Sequence, residues 1–506
     1  MNKKNLKERT SLGLFLTEKK FYALFCFLII ALTYWPKIVF ENYSIDTEDF
    51  IANGKENGFM QWLSIGRYGL FLMKQFITGY ELNIRVANVV TYTILCVIVI
   101  YLGYIFFQVC GGLSASELSV IPLLFSTSAI LLEQFNFVLQ SVEVAFSYLL
   151  IFLSVHLIYL STERKNGAYL IGSVLFCVMG FSVYPSNYVA FVAFSIMVIL
   201  CLLINMAQLS FTQYLIFISP YVVVFVVSLI LNNLLFQLFL TLYDAPKIDY
   251  VESGIIWGKK PLGKIFEGMG TELEKIYLSP NNVYYTYALP LGIILTIFLL
   301  LTRTKNRLWL MFSALGLLLV SNANIFVLGQ IGPVRTLAPV LPLFTAFLYL
   351  FVSHRISKWP VKVAVFCFAI FFGGIQMKQT NHFGIQEKNK FQEEVAYVQQ
   401  ITDKLKNQGV TDLSAYKLVA LGAKHFPVDD EDYQGDVLGK SFFEWDHGSS
   451  IGSSGRIGGF LNTLGYKVQK INAKDYKKAQ QNVQEQPMQV DDVRVVDDLI
   501  IIKISG

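Results

Sequence analysis

Apolar runs of about 20 residues, each long enough to cross ~30 Å of hydrocarbon, recur along the chain and are separated by short polar breaks. Eleven spans are predicted this way: 22–40, 83–108, 117–133, 138–160, 168–184, 188–206, 213–242, 285–302, 307–328, 334–353 and 360–377. The 213–242 run is too short for two crossings and reads as one long tilted span. The break Tyr184-Pro185-Ser186-Asn187 between two of the runs is very short.

Past residue 378 the pattern changes. Phe391, Val395, Val398, Ile401 and Leu405 recur at spacings of three and four, which predicts an amphipathic helix. Four short β-like runs follow, YKLVAL (416–421), YKVQKI (466–471), VRVV (493–496) and LIIIKI (499–504), with Gly/Ser-rich loops such as HGSSIGSSGRIGG (447–459) between them. The expected architecture is an all-α polytopic membrane body over 22–377, a basic tail over 1–21 and a small α/β domain over 378–506.

Composition agrees with a membrane protein: 54% of the 506 residues are hydrophobic and 15% charged, against about 25% charged in soluble domains. The net charge of +5 is spread out, with no basic stripe for nucleic acid. The N-terminus lacks a cleavage site and reads as a retained cytoplasmic tail, holding Lys3, Lys4, Lys7, Arg9, Lys19 and Lys20. Short breaks expected on the same side carry Arg164 and Lys165; Arg303, Lys305 and Arg307; and Arg355, Lys358 and Lys362. This places 41–82, 243–284 and everything past 378 on the outer face of the cell membrane. The 243–284 loop dissents mildly with five lysines, but it is long and also holds six acids. The six cysteines lie in or beside apolar runs with no CxxC, and the five histidines form no HxxxH or HExxH, so no metal site built on them is expected. The absence of an internal repeat weighs against an inverted-repeat transporter.

Candidate chemistry concentrates just beyond the first span, in SIDTEDFIANGKENGFMQWLSIGRYGL (44–70). Asp46, Glu48 and Asp49 fall within four positions. A carboxylate at the membrane edge can serve as general base toward a sugar hydroxyl. Phe59, Trp62, Leu63, Leu70 and Met73 share one helical face, which predicts an interfacial helix with Trp62 at headgroup level. Arg67 on it, and Arg335 in GQIGPVRTLAPV (329–340), could each hold a phosphate in two-pronged fashion. Solvated acids and snorkelling arginines are the plainer alternative. Glu133, Asn136 and Glu143, in EQFNFVLQSVEV, could line a polar substrate cavity, as could Trp62 and, at the VYPSNY turn, Tyr184 and Asn187.

The pattern DTEDFI…W…GRYGLFLM, between a first and a second span, resembles the bacteriophage-type O-antigen glucosyltransferases, whose type II seroconverting group is similar to the wider GT-C superfamily. The resemblance extends to the layout of tail, acidic first outer loop, further spans and polar C-terminal domain. It implies a polyprenyl-phosphate-linked sugar, usually glucose, as donor on the outer leaflet, and the expected reaction is inverting transfer of that hexose to a cell-surface glycan or its lipid-linked precursor. No cofactor is expected beyond this donor lipid, and a donor synthase and a flippase become expected partners. It assigns the base to Asp46 or Glu48, with Asp49 next, and tips Arg335 toward the donor phosphate. A polymerase or ligase using a diphosphate-linked oligosaccharide, or a lipid-linked-sugar flippase, is the competing expectation.

Overall fold

The computed structural model describes residues 11–57, 59–278, 284, 288–302, 305–330, 332–356, 358–426 and 435–505. Lys3, Lys4, Lys7 and Arg9 of the tail and Arg303 lie outside them. Each of the eleven apolar runs becomes helix, but not every one is clearly a span. Among the described residues six helices are long and apolar enough to cross a membrane: Lys20–Val39, Ile84–Cys110, Val138–Arg164, Phe211–Leu242, Val334–Arg355 and Trp359–Asn407. Four further apolar helices, Ala168–Val183, Asn187–Leu203, Ala288–Leu301 and Arg307–Ser321, have 14 to 17 residues among those described. At ~1.5 Å per residue these fall short of the ~30 Å core. The predicted 117–133 span is broken: Ala115–Leu124 and Ala129–Phe135 meet at 52°, and would add a seventh span if taken as one. Pro122 lies in the first piece, and Ser128 starts the second as its N-cap.

The helices face two environments. On Lys20–Val39 the side chains of Phe21, Leu24, Phe27, Leu28, Leu32 and Trp35 stand exposed while Tyr22, Cys26, Ile29 and Ile30 are buried. That pattern suits a helix packed on one side and bathed in lipid on the other. Leu341 to Val352, by contrast, are buried on every face, so this helix is the centre of the bundle. The Trp359–Asn407 helix crosses the bent pair closely. A Cβ on Gly373 would lie 2.5 Å from the carbonyl oxygen of Leu123, a clash only glycine avoids.

The expected boundary at 378 falls inside an element: the last apolar run and the amphipathic segment form one helix of 49 residues. Phe391 and Val395 pack against the core while Val398, Ile401 and Leu405 enter it. Beyond it a three-stranded sheet has the order β1-β3-β2, with β1 at Lys417–Leu421, β2 at Asp492–Val496 and β3 at Leu499–Lys503. β1 pairs parallel to β3 and β2 antiparallel to it, with Asp497 in the left-handed region at their turn. YKVQKI is not a strand. It makes a single bridge, Lys417 to Gln469, while Val468 turns onto Gly458. The second half of the Gly/Ser-rich stretch is also not loop but the helix Ser454–Thr463.

Candidate active site

The chain leaves the first long helix at Phe40 in extended conformation. The segment that follows is buried, and Ser44 Oγ donates to the carbonyl of Asn136 at 2.8 Å. Asp46 then adopts a left-handed φ of 69°, a turn that Asp tolerates better than most residues. The helix Thr47–Asn57 starts there, with Glu48 and Asp49 in its first turn, where the helix dipole favours acids. It packs on Ser454–Thr463, where Gly459 admits the Glu48 side chain: a Cβ there would lie 3.1 Å from Glu48 Cγ.

This packing brings Arg456 onto the first-loop acids. Its Nη1 meets Asp46 Oδ1 at 2.6 Å and Glu48 Oε1 at 2.9 Å, and its Nε donates to Asp446 Oδ2 at 2.8 Å. The Glu48 side chain is 1% exposed; those of Asp46 and Asp446 are 46% and 45% exposed. Glu48 Oε2 is buried with no hydrogen-bond partner among the described residues. Burial, with Asp46 adding to it, outweighs the pull of Arg456 and pushes the Glu48 carboxyl up to about 8. The cluster borders a cavity of about 370 Å³ between the first loop and the C-terminal domain, whose wall also carries Asp49, Gln61, Ser449, Asn462 and Gln469. Hydroxyls, amides and carboxylates of this kind can hold a saccharide by many directed hydrogen bonds.

The expected interfacial helix is corrected. The segment forms two short helices, Met60–Ser64 and Tyr68–Met73, separated at Gly66 with φ 85°. Its apolar face is covered by protein. Trp62 is only 4% exposed, with its ring 4.7 Å from Phe59 and 5.8 Å from Phe50. Arg67, between the two helices, stacks over Tyr184 at 4.9 Å and donates to Gln140 Oε1 at 3.2 Å.

The remaining predicted residues lie apart from this cavity. Arg335 sits in a 3₁₀ turn over the Phe137 ring and pairs with Asp436. Glu133 is fully buried and accepts the backbone N–H groups of Val437 and Leu438 and the Tyr284 hydroxyl. Asn136 accepts from Lys37 Nζ at 2.9 Å and donates to Glu387 Oε2 at 3.1 Å. Glu387 in turn accepts from Gly439 N at 2.6 Å, and Glu394 from Phe442 N at 3.0 Å. Arg335, Glu133, Glu387 and Glu394 thus pin residues 436–442 onto the helical body. Glu143 is neutralised by Lys74 at 2.8 Å, and Asn187 ties its turn to Ser147 and the Gly180 carbonyl.

Sequence reasoning passed over Arg456 and Asp446. The only signal was a lone cation inside a Gly/Ser-rich stretch. Among the described residues no group of three or more His, Cys, Asp or Glu side chains could hold a metal ion.

Neither the curated proteins nor the solved structures yield a match to this chain. A family model does match, that of the glucosyl transferase GtrII, over residues 38–353. The match takes in the acids of the first loop and leaves out Arg456. It covers more than half of the 506 residues, and with its long apolar helices the chain belongs to the GtrII family as a membrane glucosyltransferase.

Proposed function

We propose that this protein moves glucose from a polyprenyl-phosphate carrier to a cell-surface polysaccharide such as O-antigen, or to its lipid-linked precursor, on the outer leaflet. The observation that carries the reading is the half-exposed carboxylate of Asp46, held by Arg456 at the wall of a saccharide-sized cavity directly after the first long apolar helix. In this scheme an acceptor hydroxyl oxygen attacks C1 of the sugar as the C1–O bond to phosphate breaks. Asp46 takes the hydroxyl proton, and the polyprenyl phosphate leaves with the bonding electron pair, inverting the configuration at C1. Glu48, buried beneath Arg456, acts as a positioning residue. Asp49 is the neighbouring carboxylate at the same wall.

The acids around the cavity favour hydroxyls over a second anion, so the donor phosphate belongs elsewhere. Arg335 already meets an internal anion in Asp436. Arg67 remains a candidate from the first loop. The N-terminus is proposed to be cytoplasmic and the C-terminal domain external, with a donor synthase and a flippase supplying the lipid.

The test is transfer by the purified, detergent-solubilised protein from undecaprenyl-phosphate-glucose to a polysaccharide acceptor. Transfer with inversion supports the reading. Transfer from a nucleotide sugar in the absence of lipid donor, or retention of configuration, overturns it.

A further inference from the structure

Lys20–Val39 and the long Trp359–Asn407 helix run side by side in the same direction. Asn381 Nδ2 donates to the carbonyls of Leu32 at 2.6 Å and Thr33 at 3.0 Å, and a Cβ on Gly384 would lie 3.0 Å from Pro36 Cβ. One turn further on, the first helix ends and the second continues. The step leaves a groove of about 440 Å³ bordered by Phe40, Glu41, Asn42, Lys388, Phe391 and Gln392.

The polar groups of this groove point to an anion. Lys388 lies 5.3 Å over the Phe40 ring and donates to Asn389 Oδ1 at 3.3 Å, with no carboxylate in salt-bridge range among the described residues. Glu41, the acid at the rim, is paired with Arg85 at 3.0 Å. Asn42 is 2% exposed, yet neither its amide nitrogen nor its amide oxygen has a hydrogen-bond partner among the described residues. A buried amide left without partners costs free energy that a ligand oxygen would recover. The apolar side of the groove is equally specific. It continues into the exposed flank Leu32, Trp35 and Val39, the face that suits lipid.

We propose that this groove binds the phosphate of a polyprenyl-phosphate lipid, with the isoprenoid chain laid along Leu32, Trp35 and Val39. Lys388 supplies the charge, and the Asn42 amide donates to a phosphate oxygen. The proposal rests on the reading that the donor is such a lipid, and it locates that donor. Asn42 precedes Asp46 by four residues, so their Cα atoms are at most ~14 Å apart by the reach of an extended chain. A phosphate-linked hexose can extend from the one toward the other.

The experiment measures binding of undecaprenyl phosphate to the full chain in nanodiscs, by native mass spectrometry, with undecaprenol and phosphatidylglycerol as competing arms. Wild type is expected to bind undecaprenyl phosphate in preference to both. Lys388→Gln should weaken that binding about fivefold, the worth of one lysine beside an anionic headgroup. Lys388→Glu should weaken it further, and Asn42→Leu should weaken it with the charge left intact. Equal melting temperatures for Lys388→Gln and wild type keep the comparison free of folding loss. Tight wild-type binding that Lys388→Gln and Lys388→Glu leave unchanged overturns the groove and spares the donor reading. Equal binding of phosphatidylglycerol marks an ordinary lipid site and also overturns the groove alone. Failure of wild type to bind undecaprenyl phosphate at all removes the donor reading, and the groove with it.

Discussion

Glu48 and Arg456 stand 408 positions apart and meet at 2.9 Å, the buried carboxylate of the first loop against the guanidinium of a helix in the C-terminal domain. The same Nη1 reaches Asp46 at 2.6 Å. The two halves of the candidate site are therefore assembled by one arginine. Its own burial works against its charge, but the surrounding acids outweigh that and hold it more firmly protonated than a free arginine.

Arg456→Ala should accordingly undo the site as a unit. Removing one partner of a largely buried pair costs about 3–5 kcal/mol when the other charge stays behind, and the partial exposure of Arg456 and the protonation open to Glu48 place the expected loss below that range. Arg456→Lys keeps the charge but not the fork that serves Nη1 and Nε separately, so it should restore stability better than transfer. Thermal melts and transfer assays on both variants check this. Equal activity in Arg456→Ala and wild type would separate the cluster from catalysis.

Asp46→Asn removes the exposed carboxylate while keeping its shape and its tolerance of the left-handed turn. Loss of a general base costs about 10²–10⁴-fold in rate, with little change in melting temperature. Asp49→Asn should cost less, since the Arg456 contact is made by Asp46 and Glu48 and not by Asp49. Measured kcat on purified donor lipid ranks the two, and a larger loss in Asp49→Asn would move the base one turn along.

The pH response of stability follows from Glu48. Its folded-state pKa, about 8, lies above the unfolded value near 4.5. The protonated form is the one the fold favours, so the stabilisation is full below about 4.5 and is lost as pH rises through about 8. Glu48→Gln cannot ionise. Its melting temperature relative to wild type should therefore rise between pH 5 and pH 9, by an amount bounded by about 1.4 kcal/mol per pKa unit. A difference that stays flat across that range would mean that Glu48 is ionised throughout in the folded protein.

The parts of this molecule legible in sequence are those set by local pattern. Acids directly after an apolar run mark Asp46, Glu48 and Asp49 without any knowledge of the fold. Apolar runs of span length give every long helix, but not how many cross, because a break such as Ser126-Thr127-Ser128 is as apolar in its surroundings as the helices it divides. Periodicity over 59–73 does reveal an apolar face. It cannot say whether lipid or protein covers that face, and here Phe50 and Phe59 cover Trp62. Arg456 was invisible because what gives it meaning, Glu48, is a distant partner. Arg335 meets the same limit: a lone arginine after Gly-Pro reads as a ligand for phosphate, and nothing near it in sequence announces its pairing with Asp436, on a segment a hundred residues away.

Arg335 and Asp436 form an ion pair between the helical body and the segment before Asp446. Their pair, together with Glu133 on the Val437 and Leu438 amides, fastens residues 436–442 to the helical body, and that segment leads into Asp446, which steadies Arg456 Nε. Arg335→Ala should therefore act through the segment rather than on donor affinity. Asp436→Ala should reproduce most of its loss, and the double variant should be little worse than either, with a coupling of about 0.5–3 kcal/mol between the two. The check is a double-variant cycle on melting temperature, run beside a titration of undecaprenyl-phosphate-glucose. A lower kcat at unchanged KM for donor fits a positioning role. Were Arg335→Ala to raise the donor KM while Asp436→Ala left it unchanged, the arginine would be touching the phosphate after all, with Asp436 merely occupying it when the donor is away.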